Sequence, residues 1–228
     1  MVRNNSRKES KYIDVHTHKY YNDNNIFFIY NKLLKELEDK EFTKVKYFSV
    51  GCHPWFADNY FKYKNLISQN CQLTECIAIG EIGLDRTKGD FSLQEKVFEE
   101  QLNLAHKLKK TVIIHSVRAY DRLLYFYKKY NSVKWIIHGY NGSFEQAQQL
   151  INKGIYLSIG TDILYSNRKI TKVLPLLPLD FIFFETDTLN VNIKDIYKKA
   201  AELLKIDLQK LKDQILQNFK TVFYGYVV

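Results

Sequence analysis

The stretch KYIDVHTHKYY, residues 11–21, combines an apolar, β-branched run with two histidines that flank Thr17. The run YIDVH, residues 12–16, has the composition of a short strand, so His16 and His18 lie at or just past its C-terminal end. Side chains two apart on a strand share a face. We therefore expect both imidazoles to reach one metal ion and Thr17 to point away from it.

Seven further runs of similar composition follow the first. Most are nearly continuous in apolar residues, as is typical of strands covered on both faces of a parallel sheet. Helical periodicity separates the later runs, and in residues 92–109 Ser92 and Glu95 predict a capping box. The strand runs are IFFIY (26–30), VKYFSV (45–50), CIAIGE (76–81), TVIIH (111–115), VKWIIH (133–138), GIYLSI (154–159) and FIFFE (181–185).

Strands that alternate with helices are typical of βα units, and eight such strands predict a TIM-type (β/α)8 barrel. Only residues 17–25 separate the first two runs. This is too short for a full crossover helix, so we expect a slightly distorted barrel with reduced outer helices near the N-terminus. No linker and no internal repeat interrupts the pattern. Residues 1–228 therefore predict a single domain, with residues 1–10 as a polar, flexible N-terminus.

The composition narrows the class of protein. A formal net charge of +9, from 34 Lys and Arg against 25 Asp and Glu, would favour polyanions, although ordinary solvated helix faces explain the scattered lysines equally well. Cys52, Cys71 and Cys76 show no zinc-finger spacing and are expected to be free thiols. The sequence shows no signal peptide and no apolar run of about 18 residues. We expect a cytoplasmic protein with no membrane partner, and a monomer is the simplest assembly.

Polar residues concentrate at the C-terminal ends of the predicted strands, which form the catalytic face of a (β/α)8 barrel. One histidine there is more often a hydrogen-bonded core residue than a ligand, but the joint pattern favours metal ligation. Buried carboxylates are costly unless compensated, and a divalent cation bound by imidazole and carboxylate would compensate them. The residues are His16, His18, His53, Glu81, His115, His138, Glu185 and Asp187, whereas His106 lies within a helical pattern and is interpreted as structural.

Six motifs, YIDVHTH, GCHPW, GEIGLD, VIIHS, IIHGYNGS and FFETD, occur in an order that resembles the TatD-like DNase family. That family belongs to the amidohydrolase superfamily of TIM-barrel metal hydrolases, and NFKTVFYG resembles its C-terminal helix. The resemblance spans residues 12–225, and the chain resembles a short form of the family. It implies a metal-dependent hydrolase of phosphoric ester bonds, a nuclease acting on DNA.

The resemblance also implies a site for two divalent metal ions. One ion would be held by two histidines and an aspartate, the other by two histidines, with a glutamate bridging both. A bridging glutamate argues against relatives that bridge their metals through a carbamylated lysine. The ions would be Zn²⁺, Mn²⁺, Ni²⁺ or Mg²⁺; imidazole suits the first three, and Mg²⁺ prefers oxygen ligands. The matching residues are His16, His18 and Asp187 for the first ion, His115 and His138 for the second, and Glu81 as the bridge.

Catalytic roles are expected for Asp187, Glu81 and His53. Asp187 would accept a proton from the attacking water. His53, which precedes Pro54, would contact the scissile phosphate or protonate the leaving group, and a structural hydrogen bond in a loop is an equal alternative.

Substrate contacts are expected from Trp55, which with Phe56 would stack on unpaired bases, and from the basic Arg118 and Lys19. Glu185 and Asp85 would orient ligand imidazoles, and capping of a turn is an equal alternative for Asp85.

The sequence departs from the commoner family pattern at Gly139, Tyr140, Val117 and residues 188–190. These departures leave every candidate ligand in place but leave the choice of substrate open. The leading hypothesis is hydrolysis of DNA or another phosphodiester. The alternatives are an amidase, lactonase or deaminase for a small molecule, and a barrel that binds metal without catalysis.

Overall fold

The computed structural model describes residues 9–38, 45–226 and 228. Its centre is a sheet of eight parallel strands that follow one another in chain order, each pairing with the next. The strands are β1 (Tyr12–Thr17), β2 (Ile26–Lys32), β3 (Phe48–Val50), β4 (Cys76–Asp85), β5 (Thr111–Val117), β6 (Trp135–Ile137), β7 (Tyr156–Ile159) and β8 (Ile182–Phe184).

The two ends of the sheet meet through the segment that follows β8. Thr17 forms a parallel β-bridge with Asp187. The His18 amide donates to the Asp187 carbonyl at 3.2 Å, and the Asp187 amide donates to the His16 carbonyl at 3.0 Å. The predicted TIM-type barrel is therefore confirmed, and its closure brings the two ends of the chain together at one point of the rim.

Helices follow most strands and cover the outside of the barrel. No α-helix lies between β1 and β2, and the described residues between β2 and β3 hold only the short 3-10 helix Leu34–Glu36. The expected reduction of the N-terminal outer helices is thus confirmed for these residues. The α-helices are α1 (Tyr60–Cys71), α2 (Phe91–Leu108), α3 (Tyr120–Tyr130), α4 (Phe144–Ile151), α5 (Ile170–Val173), α6 (Ile193–Leu204) and α7 (Leu208–Val222).

Helix α2 begins earlier than the predicted capping box requires. Its N-cap is Asp90, whose Oδ1 accepts the backbone amides of Ser92 at 2.9 Å and Leu93 at 3.2 Å. Ser92 lies inside the first turn and Glu95 pairs with Arg122, so the predicted Ser92–Glu95 box is wrong. An ionised aspartate is the better cap because it also interacts with the positive end of the helix dipole.

Strand β4 carries the irregularity that shapes the rim. Ile79 pairs with Val112 but Ile82 pairs with Ile114, so β4 holds one extra residue around Glu81. Such a bulge re-aims a side chain next to it. The two strands then approach closely, since a Cβ added to Gly83 would lie 2.0 Å from the His115 carbonyl oxygen. The local geometry therefore depends on a glycine at position 83.

The structure also bears on the predictions for the cysteines, His106, membrane helices and the N-terminus. The three cysteines are free and buried, and His106 lies on the surface with its Nδ1 2.8 Å from Ser132 Oγ. No helix of the described residues combines the length and the apolar character needed to cross a membrane. Residues 1–8 of the expected flexible N-terminus lie outside the described residues, whereas Ser10 donates to Asp213 at 2.6 Å.

Candidate metal centre

The side chain of Glu81 lies at the centre of the rim where the strands end. One carboxylate oxygen, Oε2, lies 3.4 Å from His16 Nε2. The other, Oε1, lies 3.0 Å from His115 Nδ1 and 2.7 Å from His138 Nε2. The two oxygens of one carboxylate thus face two separate groups of histidines.

The first group of histidines, His16 and His18, lies beside Asp187, the residue that joins the two ends of the barrel. Asp187 Oδ1 lies 3.5 Å from His16 Nε2 and 3.7 Å from His18 Nε2. Ligand atoms of these three residues and Glu81 all lie within 4.8 Å of one another. Thr17, between the histidines, contacts Thr186 through a 2.9 Å hydroxyl pair, so it takes no part in the cluster. This arrangement is the one expected from the sequence.

The second group contains one more imidazole than the sequence analysis assigned to it. His53 Nε2 lies 3.3 Å from Glu81 Oε1, and ligand atoms of His53, Glu81 and His115 lie within 4.8 Å of one another. His138 belongs to the same group, because its Nε2 is 3.2 Å from His115 Nδ1. His53 was expected near the substrate. Its position just past β3 predicted the right edge of the barrel, but not that its imidazole would contact Glu81 itself.

One unpartnered buried nitrogen at the centre of the cluster indicates that the site suits a cation. His16 Nε2 makes no hydrogen bond among the described residues, although Glu81 Oε2 lies 3.4 Å away and Asp187 Oδ1 lies 3.5 Å away. Buried polar atoms are rarely left in this state. Imidazoles together with carboxylates form the donor set that Zn²⁺, Mn²⁺ and Ni²⁺ prefer. The residues therefore fit a divalent metal.

Charges within the cluster bias its protonation. Burial acts to raise the pKa of Glu81, but His138, His115 and His16 outweigh it and hold that pKa well below its usual range. Burial acts to lower the pKa of His16, yet Asp187 and Glu81 raise it to about 9. Burial and the neighbouring His16 lower the pKa of His18. At neutral pH the carboxylate is ionised and His16 holds a proton that a metal ion must displace.

Two further carboxylates, Glu185 and Asp85, face the ring nitrogens of His138 and His115 that point away from Glu81, as expected. Glu185, which is fully buried, lies 3.2 Å from His138 Nδ1 and accepts the Gly139 amide at 2.6 Å. Asp85 Oδ2 lies 3.6 Å from His115 Nε2 and accepts Trp55 Nε1 at 2.6 Å. Asp85 Oδ1 also accepts the backbone amide of Thr87 at 2.8 Å, so both expectations for Asp85 have a geometric basis.

Asp14 was not singled out from the sequence. It is fully buried in β1 and accepts Thr186 Oγ1 at 2.7 Å and the Tyr21 hydroxyl at 2.9 Å. Burial raises the pKa of Asp14 to about 7. An acidic residue inside an otherwise apolar strand was the available signal. Its hydrogen bonds join β1 to the residue preceding Asp187.

A cavity of about 600 Å³ opens beside the cluster. Trp55 and Phe56 lie in its wall as expected and are 52% and 48% exposed. The two basic residues expected to contact phosphate do not line it: Lys19 donates to the Val191 carbonyl at 3.3 Å, and Arg118 is an exposed residue whose carbonyl accepts Arg86. The remaining wall residues include Asn31, Lys32, Leu33, Leu34, Lys35, Asn59, Tyr63 and Thr188.

Comparisons with known proteins show the family and the fold of this chain. The sequence profile of the family described as TatD related DNase matches residues 25–224. An uncharacterized metal-dependent hydrolase of Methanocaldococcus jannaschii is 29% identical over 187 residues, 75% of this chain and 73% of that protein. The 3′-5′ RNA nuclease TATDN2 of Homo sapiens is 36% identical over 149 residues, 61% of this chain and 19% of that protein. The crystal structure of YjjV, a TatD homolog from Escherichia coli, shares the fold with a TM-score of 0.81, 23% identity and coverage of 94% of this chain and 98% of that chain.

Proposed function

This chain belongs to the TatD-related DNase family of metal-dependent hydrolases, and we propose that it is a nuclease that cleaves phosphodiester bonds, with DNA as its first expected substrate. The reaction would take place at a two-metal site centred on Glu81. The observation that carries the proposal is the division of the Glu81 carboxylate, with Oε2 facing His16 and Oε1 facing His115 and His138. A carboxylate placed in this way suits a bridge between two ions.

In this proposal, each of the two groups of residues around Glu81 would hold one metal ion. His16, His18 and Asp187 would hold one ion, and His115 and His138 would hold the other. When bound, two divalent ions supply the positive charge that lowers the pKa of an attacking water and polarises the phosphoryl oxygen. His53 lies close enough to Glu81 to act on a substrate bound beside it.

Asp187 is suited to be the general base. Burial acts to raise its pKa, but His16 and His138 lower it below the usual value, so the carboxylate is ionised at neutral pH. Its side chain is 38% exposed, the largest exposure in the first group. An ionised carboxylate that borders the cavity can take a proton from the attacking water.

The tautomer of His53 suits it to donate a hydrogen bond to the substrate. Its Nδ1 accepts the Trp55 backbone amide at 3.1 Å. In a neutral imidazole one nitrogen accepts and the other carries hydrogen, so the hydrogen of His53 lies on Nε2, on the side of Glu81 Oε1. We assign His53 to the leaving oxygen or to a phosphoryl oxygen.

The cavity wall supports a single-stranded nucleic acid as substrate. Trp55 and Phe56 offer exposed aromatic faces beside the cluster, and base stacking on such faces is worth about 1–3 kcal/mol per base. The net charge of +9 favours a polyanion. The relative named as an RNA nuclease makes RNA the natural second substrate to test.

The test uses purified protein loaded in turn with Zn²⁺, Mn²⁺, Ni²⁺ or Mg²⁺ and offered labelled single-stranded DNA, duplex DNA and RNA. We expect about two ions per chain and cleavage of single-stranded DNA that EDTA stops and added metal restores. Asp187→Ala should abolish cleavage. Stoichiometric metal without cleavage of any nucleic acid would overturn the proposal in favour of an amidase, lactonase or deaminase.

A further inference from the structure

Asn31 is a buried amide at the end of β2, a strand that contributes no residue to the ligand cluster. It pairs in register with Ser49 of β3, and Asn31 is 4% exposed. The hydroxyl of the fully buried Ser49 donates to Asn31 Oδ1 at 3.1 Å. Because this contact holds the amide oxygen, the NH₂ group is directed to the opposite side of the side chain.

That NH₂ group faces the first ligand group. Asn31 Nδ2 lies 3.3 Å from His18 Nε2, and Asn31 lines the cavity. An amide nitrogen only donates, so the contact requires the lone pair of His18 on Nε2. The same Nε2 is the atom that lies 3.7 Å from Asp187 Oδ1, and it is therefore the nitrogen that would ligate the first ion.

One lone pair cannot serve a metal ion and the amide at the same time. Once His18 ligates metal, the Asn31 donor loses its acceptor, and a buried donor without a partner is unfavourable. The Ser49 hydroxyl donates to Oδ1 and so favours the orientation in which Nδ2 faces His18. The open side of Asn31 is the cavity.

We propose that Asn31 is a substrate-binding residue whose Nδ2 donates to a non-bridging oxygen of the phosphodiester. The inference rests on the proposed function and identifies one contact within it. Lys32 and Lys35 line the cavity, but Lys19 and Arg118 do not. Asn31 adds a neutral donor directly beside the metal cluster, a part that the sequence had suggested for Lys19 and Arg118. Ser49 is its positioning residue.

The probe is a single-stranded oligonucleotide with phosphorothioate linkages, and its binding to the metal-loaded protein is measured by calorimetry. Asn31→Ala should weaken probe binding and raise KM for DNA about tenfold, in line with loss of a hydrogen bond to a charged oxygen. Metal stoichiometry and kcat should stay near wild type, and the melting temperature should fall somewhat because the buried Ser49 hydroxyl loses its acceptor. Asn31→Asp should lose more, because a carboxylate cannot donate and repels the phosphate. Ser49→Ala should lose less.

Asn131→Ala is the matched control, since Asn131 is an exposed amide at the end of α3, before β6. It should leave probe binding, KM, kcat, metal stoichiometry and melting temperature unchanged. If Asn31→Ala binds the probe as tightly as wild type while wild type cleaves DNA, this inference alone is overturned. If Asn31→Ala instead loses metal, Asn31 acts on His18 and the substrate contact is overturned. A wild-type holoprotein that neither binds the probe nor cleaves nucleic acid would overturn both this inference and the proposed function.

Discussion

His16 and Asp187 are joined twice, once through the backbone and once through their side chains. The Asp187 amide donates to the His16 carbonyl at 3.0 Å, and Asp187 Oδ1 lies 3.5 Å from His16 Nε2. The contact that closes the barrel is therefore also the contact that assembles the first ligand group. Fold and site depend on the same pair of residues.

Glu81→Gln should lower both the metal content and the nuclease activity of the protein. The amide keeps the volume of the side chain but loses the charge that compensates the surrounding imidazoles. We expect at least about a hundredfold loss of DNA cleavage, because replacing even a residue that only supports a metal ligand lowers metal affinity or activity roughly 10–100-fold. Elemental analysis should show less than two ions per chain.

Glu202→Gln provides the control for this change, because Glu202 is an exposed glutamate of α6 that pairs with Lys199. It should retain full activity and metal content. A Glu81→Gln protein with two ions and near wild-type cleavage would show that Glu81 does not bridge the site.

The stability of the metal-free protein should depend on pH through His16. Burial acts to lower the pKa of His16, but Asp187 and Glu81 raise it from 6.5 to about 9. Folding therefore retains a proton that the unfolded chain releases above pH 6.5. The stabilisation is fully present below pH 6.5 and is lost as the pH rises through about 9.

Urea unfolding in EDTA, repeated from pH 6 to pH 9.5, measures this loss. The free energy of unfolding should fall with pH more steeply in wild type than in His16→Gln. Parallel curves for the two proteins would contradict the raised pKa of His16. Apparent metal affinity of wild type should rise over the same range, because binding displaces the His16 proton.

Trp55 should affect substrate binding through its ring. Its side chain is 52% exposed, and Nε1 donates to Asp85 at 2.6 Å. Trp55→Ala should raise KM for single-stranded DNA about tenfold, consistent with one lost stacking contact, with metal content unchanged. Trp55→Phe keeps an aromatic face and should recover most of the affinity. If Trp55→Phe is as impaired as Trp55→Ala, the bond to Asp85 matters and stacking does not.

The convergence of the candidate ligands could be predicted because it depends on local sequence pattern. Apolar runs that end in histidine or acid place those residues at one edge of a parallel sheet, whatever the details of packing. His16, Glu81, His115 and Asp187 converge for this reason. His53 was harder to place because it follows a strand by three residues and reaches Glu81 through its loop.

Contacts that depend on register or on backbone direction could not be predicted. Asn31 meets Ser49 only because β2 and β3 pair in that register. Arg118 adopts a φ of 53°, a left-handed turn that nearness in sequence to His115 could not reveal. The N-cap of α2 is Asp90 and not the predicted Ser92, because the Asp90 carboxylate accepts two backbone amides and also interacts with the helix dipole.

Gly83→Ala should destabilise the fold by several kcal/mol. An added Cβ at Gly83 would lie 2.0 Å from the His115 carbonyl oxygen, and backbone atoms cannot move away as a flexible side chain can. Gly154→Ala is the matched control, since Gly154 has a φ of +79° and no atom within 4 Å of the added Cβ. It should cost only about 1–2 kcal/mol, the strain of the left-handed backbone alone. Equal unfolding free energies for the two variants would show that β4 and β5 can separate at this point.

Anomalous diffraction from crystals grown with Zn²⁺ or Mn²⁺ tests the proposed two-metal centre most directly. The arrangement around Glu81 predicts two peaks about 3.5–4 Å apart, one between His16, His18 and Asp187 and the other beside His115 and His138, with the Glu81 carboxylate between them. A single peak at full occupancy, or metal bound away from Glu81, would contradict the account.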